Sequence, residues 1–410
     1  MRPGFFTKEE VQSTNIIGGK LQTCTLCGRK DVARNPKFKP VGKFHKKILI
    51  LGEYPTEYED RENKPFSSPG WHYLEAILNK NGIDLFEDCM LSYSICCFSK
   101  PKNLNTELNC CRSRVFKLIH KYKPTVVLVM GLTALKSVLG GRFKGNAELM
   151  KNINSWRGFN IPDQELQTWL CPVMNPDIVQ ASEQQVKTIF KQDIAKIDKL
   201  TRIQFPIFHK PHIEVIDNLE ALYNIKDLCA FDYETTGLKP HRKGHRIICV
   251  GVADSENHAY VFLLPKTRKE RKPFIDLLKN MNVGKIAQNM KYEEKWSRVR
   301  LKTKVENWIW DTMLATHMID NRRLITGLKF QTYIQYGVLD YSSEISPYFN
   351  PLNKDESKQG GNAINKVSEL IQTKEGRDKL LVYCGWDAIL EYRLAITQMK
   401  IFDYMYDLPF

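Results

Sequence analysis

Two tandem α/β domains are the fold this sequence predicts, and three observations carry the reading. At 410 residues the chain exceeds what one ordinary hydrophobic core fills. Through the first half, short apolar runs alternate with stretches of helical spacing, the pattern of a parallel sheet covered by helices. TRIQFPIFHKPH (201–212) then brings two prolines and no period, after which a second α/β pattern opens at IEVIDNLEALYN. The expected organisation is a first domain over 1–200, a linker over 201–212 and a second domain over 213–410.

In chain order, KKILILGE (46–53) reads as a strand ending at Gly52, and GWHYLEAILNKNG (70–82) as a helix. MLSYSICC (90–97) is the next strand and CRSRVFKLIHKY (111–122) the next helix. PTVVLVMG (124–131) is a buried strand feeding the helix LTALKSVLG (132–140). ASEQQVKTIFKQDIAKIDKL (181–200) sets Val186, Ile189, Phe190, Ile194 and Ile197 on one helical stripe and closes the first domain. No internal repeat or low-complexity tract interrupts the pattern.

The composition is that of a folded protein, with 42% hydrophobic and 26% charged residues. Its formal charge of +15 is less ordinary and points to a polyanionic partner, nucleic acid or an acidic membrane surface. No run of eighteen apolar residues exists, and MRPGFFTKEEVQ lacks the apolar core of a signal peptide, so a cytoplasmic protein is expected. In that compartment clustered members of the eleven cysteines suggest metal ligation or redox chemistry rather than disulfides.

CAFDYETTGLK (229–239) places Asp232 and Glu234 two positions apart at a strand end. Residues i and i+2 of a strand share a face, so both carboxylates point at one spot, and a hard divalent cation relieves their repulsion. A solvated strand end is the plain alternative, and partners elsewhere decide between them. AQNMKYEEKW (287–296) offers Asn289, Lys291, Tyr292 and Glu293 near the start of a helix. LLVYCGWDAILEYRL (380–394) offers Tyr383 and Asp387, one helical turn apart, anchored by Leu380, Leu381 and Leu390.

In this order the three motifs resemble the DEDD 3'-5' exonucleases, in the form with a tyrosine in the last motif, as in the proofreading domains of family A DNA polymerases. The resemblance spans roughly 213–400 and implies an RNase H-like (DnaQ-like) fold. It implies two Mg2+ or Mn2+ ions, roughly 4 Å apart, at the scissile phosphate. Catalytic roles fall on Asp232, Glu234, Glu293, Tyr383 and Asp387, with Asp232, Glu234 and Asp387 as metal ligands. Thr235, Leu238, Asn289 and Tyr292 match positions that hold the terminal nucleotide. WDTMLATHMI (310–319), with Asp311, resembles the family's tract after the second motif. One departure stands out: Glu293 occupies a place usually held by Asp, one methylene longer with the same charge.

The first half resembles the family 4 uracil-DNA glycosylases over about 20–197, through GEYPTEYEDRENKPFSSPGWHYLEAIL (52–78), CTLC (24–27), KPTVVLVMGLTALKSVLG (123–140), WRG (156–158) and NPDI (175–178). Glu53 and the stacking aromatic Phe66 keep the family's residues. Tyr93 stands where the family reads the uracil edge with Asn, and Asn175 where it has a His. Tyr54 and Thr56 replace small residues, filling space a flipped base needs. The resemblance thus implies the fold without uracil excision. It also implies a 4Fe-4S cluster on Cys24, Cys27, Cys97 and Cys110, with Cys96 and Cys111 as doubled alternatives and zinc as the alternative metal. Cys171, Cys229, Cys249 and Cys384 read as core residues, and PKTRKERKP (265–273) as a solvated hairpin loop.

The two resemblances imply a proofreading-type 3'-5' exonuclease of bacteriophage DNA replication, preferring single-stranded 3' ends. Its first domain is then a DNA- or partner-binding platform. Because the chain stops at DYMYDLPF, the polymerase is expected as a separate chain. The rival readings are a bifunctional protein that also excises uracil or a modified base, and a non-catalytic adaptor on primer-template DNA.

Overall fold

Strands buried on both faces must be apolar throughout, and ILILG and VVLVM are. The computed structural model describes residues 16–17, 20–21, 24, 26–98, 104–339, 341–350 and 363–406; MRPGFFTKEEVQ and the last four residues of DYMYDLPF lie outside them. Two compact units make up the chain, one of residues 1–208 with 333–340, the other of 209–332 with 341–410.

In the first unit β1 (Ile16–Ile17) and β2 (Lys20–Leu21) form a short antiparallel pair. The main sheet contains β3 (Ile48–Gly52), β4 (Cys89–Tyr93), β5 (Val126–Met130), β6 (Ile161–Asp163) and β7 (Thr168–Val173) in the order β4-β3-β5-β7-β6. All neighbours are parallel except β6 on β7. The chain leaves β3 to one side for β4 and to the other for β5, so the carboxyl ends of these strands frame a crevice where α/β sheets carry ligands. Helices Pro69–Lys80 and Gln184–Ala195 send Trp71, Leu74, Leu78, Phe190 and Ile194 into the core.

Three details depart from the sequence reading. Beyond Tyr93 the ladder stops four residues early, where the Phe38 N–H bonds the Cys96 carbonyl and the Lys37 N–H bonds Cys97 Sγ at 3.3 Å. The third helix begins at Asn105, because its first turns are polar and carry no apolar period. A helix over Glu57–Glu62 went unseen, although TEYE is a capping box: Thr56 and Glu59 exchange side-chain and backbone hydrogen bonds.

The second unit holds β8 (His212–Val215), β9 (Leu228–Thr235), β10 (Ile247–Ala253), β11 (His258–Leu263), β12 (Gly284–Ala287) and β13 (Trp308–Asp311), ordered β13-β12-β9-β10-β11-β8. β9, β10 and β11 form an antiparallel meander; β12 and β13 add in parallel on one side and β8 on the other. PKTRKERKP does not close a hairpin but makes an exposed turn from β11 into the helix Lys272–Lys279. No helix among the described residues is long and apolar enough to cross a membrane.

The C-terminal helix Lys374–Tyr406 lies across β9, β10 and β11. Its approach is set at Gly251, which pairs with Asp232 in the β9–β10 register: a Cβ there would stand 2.5 Å from the Cys384 carbonyl oxygen. Bare backbone therefore fixes the height of Tyr383 and Asp387 above the strand that carries the acid pair. Gly251→Ala is expected to destabilise the protein by about 1–3 kcal/mol through overpacking, read as a lower denaturation midpoint. An unchanged midpoint would contradict this contact.

Candidate active site

The pleat of β9 turns Asp232 and Glu234 to one face, while the intervening Tyr233 points to the other and hydrogen-bonds Ser297 Oγ at 2.7 Å. Glu234 is buried, whereas Asp232 keeps an opening to solvent. Ligand atoms of Asp232, Glu234 and Cys384 all lie within 4.8 Å of one another. Cys384 is fully buried, as a core residue should be, yet its thiol also faces the Asp232 carbonyl oxygen at 3.7 Å. Cys249, opposite Glu234 on β10, shares a hydrogen bond with it.

On the C-terminal helix Tyr383 and Asp387 hydrogen-bond one another across one turn, and Tyr341 donates a second hydroxyl to Asp387. The rings of Tyr341 and Tyr383 stack at 5.8 Å. The Lys329 ammonium sits 5.6 Å from the Tyr383 ring centre and donates to Ser342 Oγ at 2.7 Å. Sequence reasoning missed Tyr341 and Lys329, whose surroundings show no period linking them to the motifs. It also missed Glu391, one turn past Asp387 and 2% exposed. A second acid on the Tyr383–Asp387 stripe was the available signal.

The second motif is built by Asp311. Its carboxylate accepts the N–H groups of Asn289 and Met290 at 3.1 Å each, and caps the helix Thr312–Ile319 through Met313 and Leu314 at 3.0 and 3.2 Å. Asn289 is thereby held at φ 68°, a left-handed residue from which the helix Met290–Trp296 starts and aims Glu293 inward. Tyr292 reaches Thr235, oxygen to oxygen 2.6 Å, and Thr235 Oγ1 donates to the Gly237 carbonyl at 2.9 Å. Leu238, on the same turn, is 66% exposed. Asn289 is half-buried and Lys291 exposed.

Burial, followed by the charge of Asp387, pushes the Asp232 carboxyl well above the usual range. Glu234 and Glu293 are raised in the same way, by burial first and then chiefly by Asp232. Asp387 is raised by burial, with Lys329 and the two tyrosine hydroxyls pulling it back down. Such an assembly of desolvated acids around an opening fits hard divalent cations, which replace the missing positive charge.

In the first unit the residues matched to a base pocket gather at the carboxyl ends of the parallel strands. Glu53 accepts from Asn175 Nδ2 at 2.6 Å and from the Thr133 N–H at 2.7 Å. Tyr93 lies flat on Phe66, ring centres 4.2 Å apart and planes 12° from parallel, and accepts the Phe66 N–H at 2.9 Å. Trp71 closes against both rings edge-on. One face of Phe66 is thus covered by Tyr93, itself 1% exposed. Tyr54 is only half-buried beside Glu53, and Thr56 serves as a helix cap; the ring that fills the space is Tyr93.

Cys24, Cys27, Cys96, Cys97, Cys110 and Cys111 converge closely enough for their charges to act on one another. Cys24 is exposed, Cys27 and Cys111 half-buried, and the other three buried. Burial pushes the Cys96 thiol up to about 12 and Cys110 up to about 11, so thiolates here require a cation. Cys110 hydrogen-bonds Cys27, and Cys111 accepts the Cys96 N–H.

Comparison with known proteins agrees with this division. Residues 39–196 match the uracil DNA glycosylase superfamily and residues 210–398 the 3'-5' exonuclease family found with DNA polymerase A. A type-4 uracil-DNA glycosylase of Thermotoga maritima is 26% identical over 157 residues, 37% of this chain and 79% of that protein. A DNA polymerase of Bacillus phage SP01 is 25% identical over 323 residues, 70% of this chain; the match spans 34% of the polymerase's length. Among solved structures, Brucella melitensis NrnC with bound Mg2+ is similar at 19% identity and a TM-score of 0.33, over 48% of this chain and 82% of that one. The chain joins a uracil-DNA-glycosylase-superfamily domain to a 3'-5' exonuclease-family domain, and on the strength of the second it is a nuclease.

Proposed function

We propose that the second unit is a metal-dependent 3'-5' exonuclease of the proofreading type, acting on DNA in bacteriophage replication within the host cytoplasm. The observation that carries this reading is the meeting of Asp232, Glu234 and Asp387 with Tyr383 at one opening, from two elements distant in sequence. The net charge of +15 and the phage polymerase relative support DNA as the polyanion. A polymerase, on another chain or continuous with this one, is the partner that follows.

Divalent ions, when bound, supply Lewis acidity and charge neutralisation at the scissile phosphate. Asp232, Glu234 and Asp387 would hold them, with Glu293 reaching the same place. Tyr383, oriented by Asp387 and by stacking on Tyr341, presents its hydroxyl to the attacking water. Thr235 and Tyr292, locked together, line the seat of the terminal nucleotide. Exposed Leu238 separates that nucleotide from its neighbour, which favours an unpaired end.

The first unit, in this reading, binds DNA or a partner and excises no base, because Tyr93 covers one face of Phe66 and Asn175 is engaged with Glu53 and a helix cap. The cysteine group holds a 4Fe-4S cluster through Cys24, Cys27, Cys97 and Cys110. The family match to a type-4 uracil-DNA glycosylase and the convergence of the cysteines support this choice, with zinc as the alternative metal.

Asp232→Ala is expected to lower Mg2+-dependent nucleotide release from end-labelled single-stranded DNA by on the order of 10³-fold or more, and Tyr383→Phe by about 10–100-fold. Full digestion by the Asp232 variant would remove the assignment. With the nuclease silenced in this way, DNA carrying one internal uracil should survive alkali uncut; a break at the uracil would restore the bifunctional reading.

The raised carboxyls also set a pH dependence. A folded-state pKa above the unfolded value means the native state holds the proton more tightly. That stabilisation is complete below about pH 4, where the unfolded carboxyls are protonated as well, and is lost as pH rises through the raised values. In EDTA the melting temperature should therefore fall from about pH 4 towards neutrality, and Mn2+ should restore it more at pH 8 than at pH 5. In Glu293→Gln the fall should be shallower; an identical slope would show that Glu293 ionises normally.

A further inference from the structure

The turn that follows the acid pair carries a charge pattern of its own. Between Glu234 and Asp254 the chain has no acidic residue, and TTGLKPHRKGHR (235–246) holds Lys239, Arg242, Lys243 and Arg246. All four are exposed, and so is Leu238. Arg300 joins them from the helical turn Ser297–Leu301, donating Nη2–H to the Arg242 carbonyl at 2.6 Å. Arg298 and Lys272 on the same unit each face an acid one turn away, Glu294 and Asp276. Among the described residues, none of the five cations around Leu238 forms such an ion pair.

The turn is held in one shape. Gly237 lets it close over His245: a Cβ there would stand 2.4 Å from His245 Cε1 and 2.9 Å from the Ala363 carbonyl oxygen. His245, buried beneath, returns the chain beside its own start. There the Thr236 N–H donates to the Arg246 carbonyl at 3.0 Å, and the Arg246 N–H to Thr236 Oγ1 at 2.9 Å. Asn365 clamps the same stretch, giving its N–H to the Thr236 carbonyl and Nδ2–H to the Thr235 carbonyl, both at 2.9 Å. Cations gathered on a fixed turn repel one another, and no acid in the segment offsets them. A polyanion with bases that can lie against an apolar side chain is the ligand class that suits them.

We propose that this turn is the track for the strand behind the scissile nucleotide. Lys239, Arg242 and Lys243, with Arg246 and Arg300 beside them, bind the phosphodiester backbone of single-stranded DNA on the far side of Leu238 from the seat at Thr235 and Tyr292. The inference rests on the exonuclease reading above and adds where the rest of the substrate runs. The seat precedes Leu238 in the chain, and the cations of the turn follow it at once. A dinucleotide therefore ends at Leu238, whereas a longer strand continues onto the turn.

The test compares two triple variants of the full chain. One joins Lys239→Ala, Arg242→Ala and Lys243→Ala. The control joins Lys266→Ala, Arg268→Ala and Lys269→Ala, removing the same charge from the exposed turn 265–273, which carries an acid of its own in Glu270. Mg2+-dependent nucleotide release is measured on a dinucleotide and on a single strand of about twelve nucleotides. On the strand, the 239–243 variant is expected to raise KM by on the order of ten-fold with kcat kept; on the dinucleotide it should match the wild type. The control should match the wild type on both. Strand binding is read by fluorescence anisotropy with Asp232→Ala added to every variant, and the 239–243 variant should lose about 2 from the slope of log affinity against log salt. Where that variant melts below the wild type, Lys243→Gln alone is read in the binding assay, with about 0.7 lost from the slope. An unchanged KM on the strand, an equal loss on the dinucleotide, or equal losses in both variants would each overturn the proposal. Failure of the wild type to release nucleotides from either substrate would remove the exonuclease reading, and the salt slope would still decide whether the turn holds the strand.

Discussion

Mutual repulsion among desolvated carboxyls is the constraint around which the second unit is organised. Five acids, Asp232, Glu234, Glu293, Asp387 and Glu391, are buried or nearly so, and each raises the free energy of ionising another. Left alone, such a group would splay or stay protonated. The surrounding fold prevents the first: β9 fixes two of the acids by its pleat, the helix over Gly251 fixes two more, and Asp311 pins the backbone from which Glu293 projects. Divalent cations, when bound, would supply the positive charge that such a group of acids lacks.

The first unit resolves a similar problem in the opposite way. Glu53 has its full set of donors, Tyr93 and Phe66 satisfy one another, and Asn175 both caps a helix and holds Glu53. Glu53, Asn175 and Tyr93 thus make their hydrogen bonds within that crevice, whereas Oε2 of Glu293 and Oε2 of Glu391 accept none. The two crevices therefore differ in how far their carboxylates are supplied with donors.

Much of this was legible in the sequence because local spacing encodes direction. An i, i+2 pair on a strand and an i, i+4 pair on a helix must each share a face, so Asp232 with Glu234 and Tyr383 with Asp387 could be read off without tertiary information. The parallel strands were equally plain, being apolar without interruption. Glu391 was hidden by the same logic carried one turn too short, and Cys384 because a small buried thiol looks like core wherever it sits. Tyr341 and Lys329 arrive from segments whose only link to the site is the path of the folded chain. The early end of β4 and the polar start of the helix at Asn105 escaped because the cysteine-bearing turn between them has no period to read.

The stacked pair of Phe66 and Tyr93 has a consequence for the evolvability of the first unit. A pocket that admits a base is a void kept open against packing, and a protein that keeps one holds less stability than its core would otherwise give. Here the Tyr93 ring packs on Phe66 at van der Waals distance, so the crevice is close-packed at that point. The domain can therefore absorb more change on its outer surfaces before it unfolds. A ring packed there adds to the core of its domain instead of subtracting from it.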